Sequence, residues 1–162
     1  MDDYRFELAS PRDAADIAAL SRQLIETGLP PAWPADRVLC HIRRTDSVVL
    51  TARSQDPGIA NVAGFAIMQF GDTRAHLNLL AVDSAHQRRG LGRRLMNCLH
   101  ESAMMAGVFD LSLELRANNL IARRFYAALG YQAHDLVRGY YRGVEDALRM
   151  RRDLRVGHDL TA

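Results

Sequence analysis

Nine consecutive residues, His86 to Arg94 (HQRRGLGRR), hold four arginines and two glycines. The apolar run AHLNLLAV (75–82) precedes them and apolar residues at helical spacing follow, so they read as strand, turn and helix N-terminus. Free N–H groups converge at such a turn, and glycine lets a ligand approach the main chain. Arginine at a helix start disfavours the bare helix by roughly 0.3–1 kcal/mol per residue, a cost that a bound di- or triphosphate offsets. A solvated basic turn is the other reading of the same residues. A dinucleotide fingerprint is a near miss, because Leu95 stands where its third glycine belongs and Asp110 is badly placed for a ribose. The second chemical feature is Glu114, one carboxylate in the otherwise apolar LSLEL (111–115). Period-two alternation puts Leu111, Leu113 and Leu115 on one face of a strand and Ser112 and Glu114 on the other. There Glu114 is either a base or a solvent-facing strand residue.

Composition narrows the chemistry further. The 162 residues suit one domain over 1–154 with a loose tail over 155–162. The chain is 48% hydrophobic, enough for a core, and no stretch reaches the ~18 apolar residues of a membrane span. The opening MDDYRFELAS lacks the features of a secretory signal, so a cytoplasmic protein is expected. All 21 basic residues are arginine. That excludes a lysine Schiff base and a Walker-type phosphate loop. Net charge is only +2, and the arginine bias alone does not point to nucleic acid. Cys40 and Cys98 are expected as reduced thiols. With the six histidines scattered, no metal is expected.

The elements that position these groups follow from periodicity. Tyr4, Phe6 and Leu8 alternate as a first strand, and Ser10-Pro11 then starts a helix running to about Glu26. GLPPAWP (28–34) is a loop, and a short helix covers 35–42. SVVLTAR (47–53), NVAGFAIMQF (61–70) and AHLNLLAV (75–82) form an antiparallel meander. Leu91, Leu95, Leu99, Ala103 and Ala106 make one face of a helix stopped by Gly107. VFDLSLEL (108–115) is a strand, and Asn118 and Asn119 cap a helix ending at Gly130. YQAHDLVR (131–138) and ALRMRRDL (147–154) are a final strand pair. The order βα(α)βββαβαββ gives an α+β, mixed α/β fold, with a central, mostly antiparallel sheet flanked by helices.

LLAVDSAHQRRGLGRRLM (79–96) resembles the acetyl-CoA-binding segment of the GNAT acetyltransferases, whose core Gln/Arg-x-x-Gly-x-Gly/Ala is here Gln87, Gly90 and Gly92. LELRANNLIARRFYAALGY (113–131) is similar to the second half of that fold. GYYRGVEDALRM (139–150) resembles the ribosomal-protein alanine N-acetyltransferase group, and the resemblance spans residues 4–154. It implies that acetyl-CoA is the cosubstrate. The main-chain N–H groups of Arg88, Arg89, Gly90, Leu91, Gly92 and Arg93 would cradle its pyrophosphate. Leu80, Ala81, Val82 and Asn119 would contact its pantetheine arm.

Acetyl transfer to an amine needs a proton acceptor for the amine and a proton for the leaving thiolate. The resemblance gives these roles to Glu114 as general base and Tyr126 as general acid. Partial burial is expected to raise the Glu114 pKa. Tyr140 and Tyr141 line an acceptor groove if the resemblance holds there, or point to opposite faces of a strand as plain alternation would have it. Trp33 either covers that groove or anchors its loop. One departure is Arg74, with His76 two residues on, where the group tends to have an acid that would favour a cationic peptide. The expected function is direct transfer to a protein N-terminal α-amine, with a small-molecule or lysine amine as the alternative acceptor. Neither cysteine falls in a catalytic segment, so no acetyl-enzyme is expected. The chain is expected as a monomer or homodimer.

Overall fold

The computed structural model describes residues 3–30, 32–56, 62–141, 143 and 145–156. The first strand is β1 (Tyr4–Leu8). A single 3₁₀ turn over Pro11–Asp13 leads into α1 (Ala14–Leu24), a tighter start than the expected uninterrupted helix. α2 (Ala35–Arg43) follows the proline-rich loop. Then come β2 (Ser47–Ser54), β3 (Val62–Phe70) and β4 (Arg74–Val82). A 3₁₀ turn over Ser84–His86 precedes α3 (Leu91–Met105). β5 (Asp110–Arg116), α4 (Leu120–Ala128), β6 (Gln132–Tyr141) and β7 (Glu145–Asp153) complete the order. The final pair is longer than expected, so Tyr140 and Tyr141 end β6 instead of lying in the connection.

The seven strands hydrogen-bond in the order β1-β2-β3-β4-β5-β7-β6. β1 with β2, β2 with β3, β5 with β7 and β6 with β7 are antiparallel; β4 with β5 is parallel. This is the mixed α/β architecture the periodicities predict. The parallel ladder has four pairs, Arg74–Leu77 with Asp110–Leu113, while β4 continues to Val82 and β5 to Arg116.

The chain forms two compact units: residues 1–69 with 78–99, and residues 70–77 with 100–162. In the first, α1, α2 and the strands enclose Ala14, Ile17, Val38, Phe65, Ile67 and Leu79. Trp33 belongs to this cluster and is 8% exposed. The Arg37 guanidinium lies 3.9 Å from its ring centroid, and Glu26 accepts its backbone N–H at 3.0 Å. Its position is that of a loop anchor.

In the second unit Leu111, Leu113 and Leu115 are buried, while Ser112, Glu114 and Arg116 are half-buried. Each buried leucine contributes about 1.5–3 kcal/mol. A one-residue slip would expose all three, so the register of β5, and with it the face that carries Glu114, is strongly specified. Arg155 and Val156 fold back on Asp153 through Arg155 N–Asp153 Oδ1 and Val156 N–Asp153 O, both 3.0 Å. The rest of the expected tail, 157–162, lies outside the described residues.

Candidate active site

The arginine–glycine stretch lies in the first unit. Gln87 to Gly90 are four exposed residues before the first turn of α3. The first N–H groups of any helix lack intrahelical acceptors, so α3 presents donors there. Gly90 has φ +77°, and a Cβ on it would meet nothing within 4 Å, so the main chain is open to a ligand. Arg88 has φ 65°, the one non-glycine residue at positive φ among the described residues. A left-handed arginine is held against a local cost, which is common at functional turns.

β1 and β4 hold this turn in place. The Gln87 side chain donates Nε2–H to the Val82 carbonyl at 2.9 Å, tying the motif to the strand end. Asp83 N–H donates to Ala63 O at 2.8 Å. Tyr4 and His86 are both buried, and Tyr4 Oη lies 2.7 Å from His86 Nδ1. Arg89 Nη1 donates to the same Tyr4 oxygen at 3.0 Å. Arginine can only donate, so the phenol hydrogen goes to His86. The Arg94 guanidinium lies 4.3 Å from the Phe6 ring centroid. Two of the four arginines are therefore turned toward β1, which reasoning from charge alone missed. Leu80 and Val82 are half-buried and Ala81 is buried on β4. Gly64 on β3 is close behind them: a Cβ there would lie 3.1 Å from Ala81 O.

The second unit carries Glu114 and Tyr126, the residues expected as base and acid. Glu114 is 17% exposed, and both of its oxygens are occupied. His76 Nε2 lies 3.1 Å from Oε2, and Arg149 Nε donates to Oε1 at 3.1 Å. Tyr140 is its electrostatic neighbour: burial first, then the charge of Glu114, raises the phenol pKa. Tyr141 is pushed up to about 12, by burial and then by Tyr140 and Glu114. The two tyrosine rings stand edge to face, centroids 4.9 Å apart.

The expected rise in the Glu114 pKa is overturned: it is lowered. The His76 hydrogen bond is the largest cause, and with Arg149 it outweighs the desolvation that acts the other way. Arg74, the departure noted in the sequence, is an exposed residue at the start of β4. It pairs with Asp110 at 3.3 Å, four residues from Glu114, or about 13 Å along β5. His76 is the β4 side chain that meets the carboxylate. Its relevance was hidden because strand pairing, not sequence proximity, brings it there.

Tyr126 is buried on α4, its ring edge-to-face with Phe125 and Tyr131 at 5.0 and 5.7 Å. Burial raises its pKa above the usual phenol range, so it is protonated at rest, the state a general acid requires. Beside it, Arg152 Nη1 donates to His100 Nδ1 at 3.3 Å, which leaves His100 Nε2–H to donate to Tyr131 Oη at 2.8 Å. Asn119 caps α4, its Oδ1 accepting Ala122 N–H at 3.1 Å. Its amide nitrogen remains the donor suited to a ligand carbonyl. A cavity of about 340 Å³ at the Asp110 end of β5, with Gln132, His134 and Arg151 among its lining residues, excludes Glu114. Among the described residues no cluster of His, Cys, Asp and Glu is arranged to hold a metal ion.

Comparison with known proteins gives the lineage. Residues 45–133 match the acetyltransferase (GNAT) domain. The chain is 42% identical over 92 residues to a ribosomal protein bS18-alanine N-acetyltransferase of Salmonella typhimurium, covering 55% of this chain and 62% of that protein. It is 34% identical over 146 residues to the N-alpha-acetyltransferase RimI of Mycobacterium tuberculosis, covering 87% of each. The fold superposes on Arabidopsis thaliana NAA60, solved in complex with acetyl-CoA, with a TM-score of 0.81 over 94% of this chain and 99% of that one at 15% identity. On the domain match, which takes in more than half of its residues, this chain belongs to the GNAT acetyltransferase family.

Proposed function

We propose that the chain is a cytoplasmic N-acetyltransferase that moves an acetyl group from acetyl-CoA to the α-amine of a protein N-terminus. The observation that carries this reading is Glu114: an ionised, half-buried carboxylate beside two tyrosines, in a chain whose 34% relative over 87% of both lengths is an N-alpha-acetyltransferase.

Acetyl-CoA supplies the activated acetyl thioester. The turn fits its diphosphate: Gln87 to Gly90 are exposed, nothing crowds Gly90, and the α3 N-terminus favours anions. The N–H groups of Arg88, Arg89, Gly90, Leu91, Gly92 and Arg93 hold that diphosphate. Leu80, Ala81 and Val82 at the β4 end, with Asn119, hold the pantetheine amides. Glu114 takes a proton from the arriving ammonium: an N–H bond breaks, an O–H bond forms, and the neutral amine becomes nucleophilic. The amine nitrogen bonds to the thioester carbon as the C–S bond breaks; Tyr126 gives its hydroxyl proton to the departing thiolate, and the proton that the new amide nitrogen sheds restores the phenol. Tyr140 and Tyr141 flank the acceptor. Transfer is direct, through a ternary complex.

A peptide array with labelled acetyl-CoA tests this. Label on peptide N-termini is expected, and its loss in Glu114→Gln with folding intact. Turnover of polyamines or aminoglycosides without peptides would overturn the acceptor assignment. An acetylated Cys40 or Cys98 chased into product would overturn direct transfer.

A further inference from the structure

Glu114 does not stand alone on its face of the sheet. His76 and Ser112 are direct partners in the β4–β5 ladder, and Glu114 lies two residues further along β5 on the same face. His76 Nδ1 is 2.9 Å from Ser112 Oγ, and Nε2 is 3.1 Å from Glu114 Oε2. Two lone pairs facing each other at that second distance would repel. One proton therefore lies between them, and because Glu114 is ionised it resides on Nε2. Nδ1 faces a hydroxyl that can donate or accept, so Ser112 keeps the ring oriented in either charge state. His76 Nε2 thereby occupies one lone pair of Oε2 and leaves the other for an incoming proton. From β7, Arg149 occupies Oε1. The other titratable groups that feel its charge are Tyr140 and Tyr141 from β6, while Asp135 of β6 lies 3.8 Å from Arg149. Free in solution, a glutamate side chain samples several rotamers. Here donors from two strands pin both ends of its carboxylate.

We propose that His76, braced by Ser112, is a positioning residue for Glu114: its Nε2–H fixes the orientation of the carboxylate and turns an open lone pair toward the acceptor ammonium. This rests on Glu114 being the base.

The test compares wild type with His76→Ala, His76→Gln, Ser112→Ala, Glu114→Gln and the His76→Ala/Glu114→Gln double variant, using acetyl-CoA and a peptide acceptor. His76→Ala is expected to lower kcat roughly 10- to 100-fold, the range of one charge-assisted hydrogen bond, with both KM values within threefold. The acid limb of its kcat profile is expected at higher pH, because losing the donor raises the proton affinity of Glu114. His76→Gln is expected to recover most of the rate, since its amide can donate to Glu114 and accept from Ser112. Ser112→Ala is expected to fall between. The double variant is expected to be no slower than Glu114→Gln, since a positioning residue has nothing left to position. An unchanged kcat and acid limb in His76→Ala, or an additive double variant, overturns the proposal. So does a His76→Gln variant as slow as His76→Ala, which also covers the case in which the alanine variant fails to fold. Full activity in Glu114→Gln would overturn the base assignment itself, a different failure from an inert His76.

Discussion

If the main chain of the arginine–glycine turn holds the diphosphate, one arginine in it is a burden to the fold and is dispensable for the ligand. Arg88 sits at φ 65°, where an L residue is roughly 1–2 kcal/mol less favourable than in its ordinary basins. Arg88→Gly removes that cost and keeps the N–H. Glycine's extra freedom in the unfolded chain takes back about 0.4–1 kcal/mol. The net gain is therefore between about 0 and 1.6 kcal/mol, or a rise of up to roughly 3–6 °C in melting temperature for a chain of this size. Losing one exposed cation weakens acetyl-CoA binding by no more than a few-fold at physiological salt. Gly90→Ala is the mirror experiment. Gly90 has φ +77° with open space around it, so alanine clashes with nothing but is strained, and a loss of about 1 kcal/mol is expected. Thermal unfolding and calorimetric titration of acetyl-CoA in 0.15 M salt read both quantities. A tenfold or greater loss of affinity in Arg88→Gly would show that the guanidinium, not the main chain, carries the phosphate. A lower melting temperature in that variant would refute the strain argument.

Three further outcomes follow from the same geometry. Gly64→Ala would place a methyl 3.1 Å from the Ala81 carbonyl, which as backbone cannot move cheaply. A loss of roughly 1–3 kcal/mol by denaturant titration is expected, with a raised acetyl-CoA KM because the β4 end shifts. Tyr4→Phe removes the hydroxyl shared by His86 and Arg89; a loss of about 1–3 kcal/mol and weaker acetyl-CoA binding are expected, with the acceptor KM unchanged. His100 has its pKa lowered to about 4, by burial first and then by Arg152. The unfolded chain therefore takes up a proton below about 6.5 that the folded one refuses until about 4. Stability falls as pH drops through that window, by about 2 kcal/mol at pH 5, and levels off below it. Denaturant titrations at pH 7 and pH 5 should show that difference, and His100→Gln should largely abolish it.

What could be read in advance divides along lines of physical range. β5 was legible because three leucines at period two leave Glu114 no choice of face. α3 and the turn before it were legible because glycine, arginine and an apolar stripe follow one another directly. The surroundings of those groups were not. His76 meets β5 through a contact 36 residues apart in sequence, and Arg149 reaches Glu114 across 35. Burial of Glu114 could be guessed from its strand, but the two donors that reverse its effect come from strands that only tertiary pairing brings alongside. The bracing of the arginine–glycine turn by Tyr4 spans 82 residues, and nothing in YRFEL announces it.

The double grip on Glu114 has an evolutionary consequence. Catalytic groups are commonly held at some expense to stability, so replacing them tends to make a protein more robust. Here the carboxylate also cross-links three neighbouring strands, and its loss would leave His76 and Arg149 facing an empty acceptor. With Glu114 as the proposed base, mutational drift at this position is opposed twice, by activity and by folding. β6 is under no such double constraint: it pairs only with β7, and its first five residues are all exposed. The same strand ends in Tyr140 and Tyr141, so, with these tyrosines flanking the acceptor as proposed, a lineage descending from this chain has room there to change its choice of acceptor while the chemistry stays fixed.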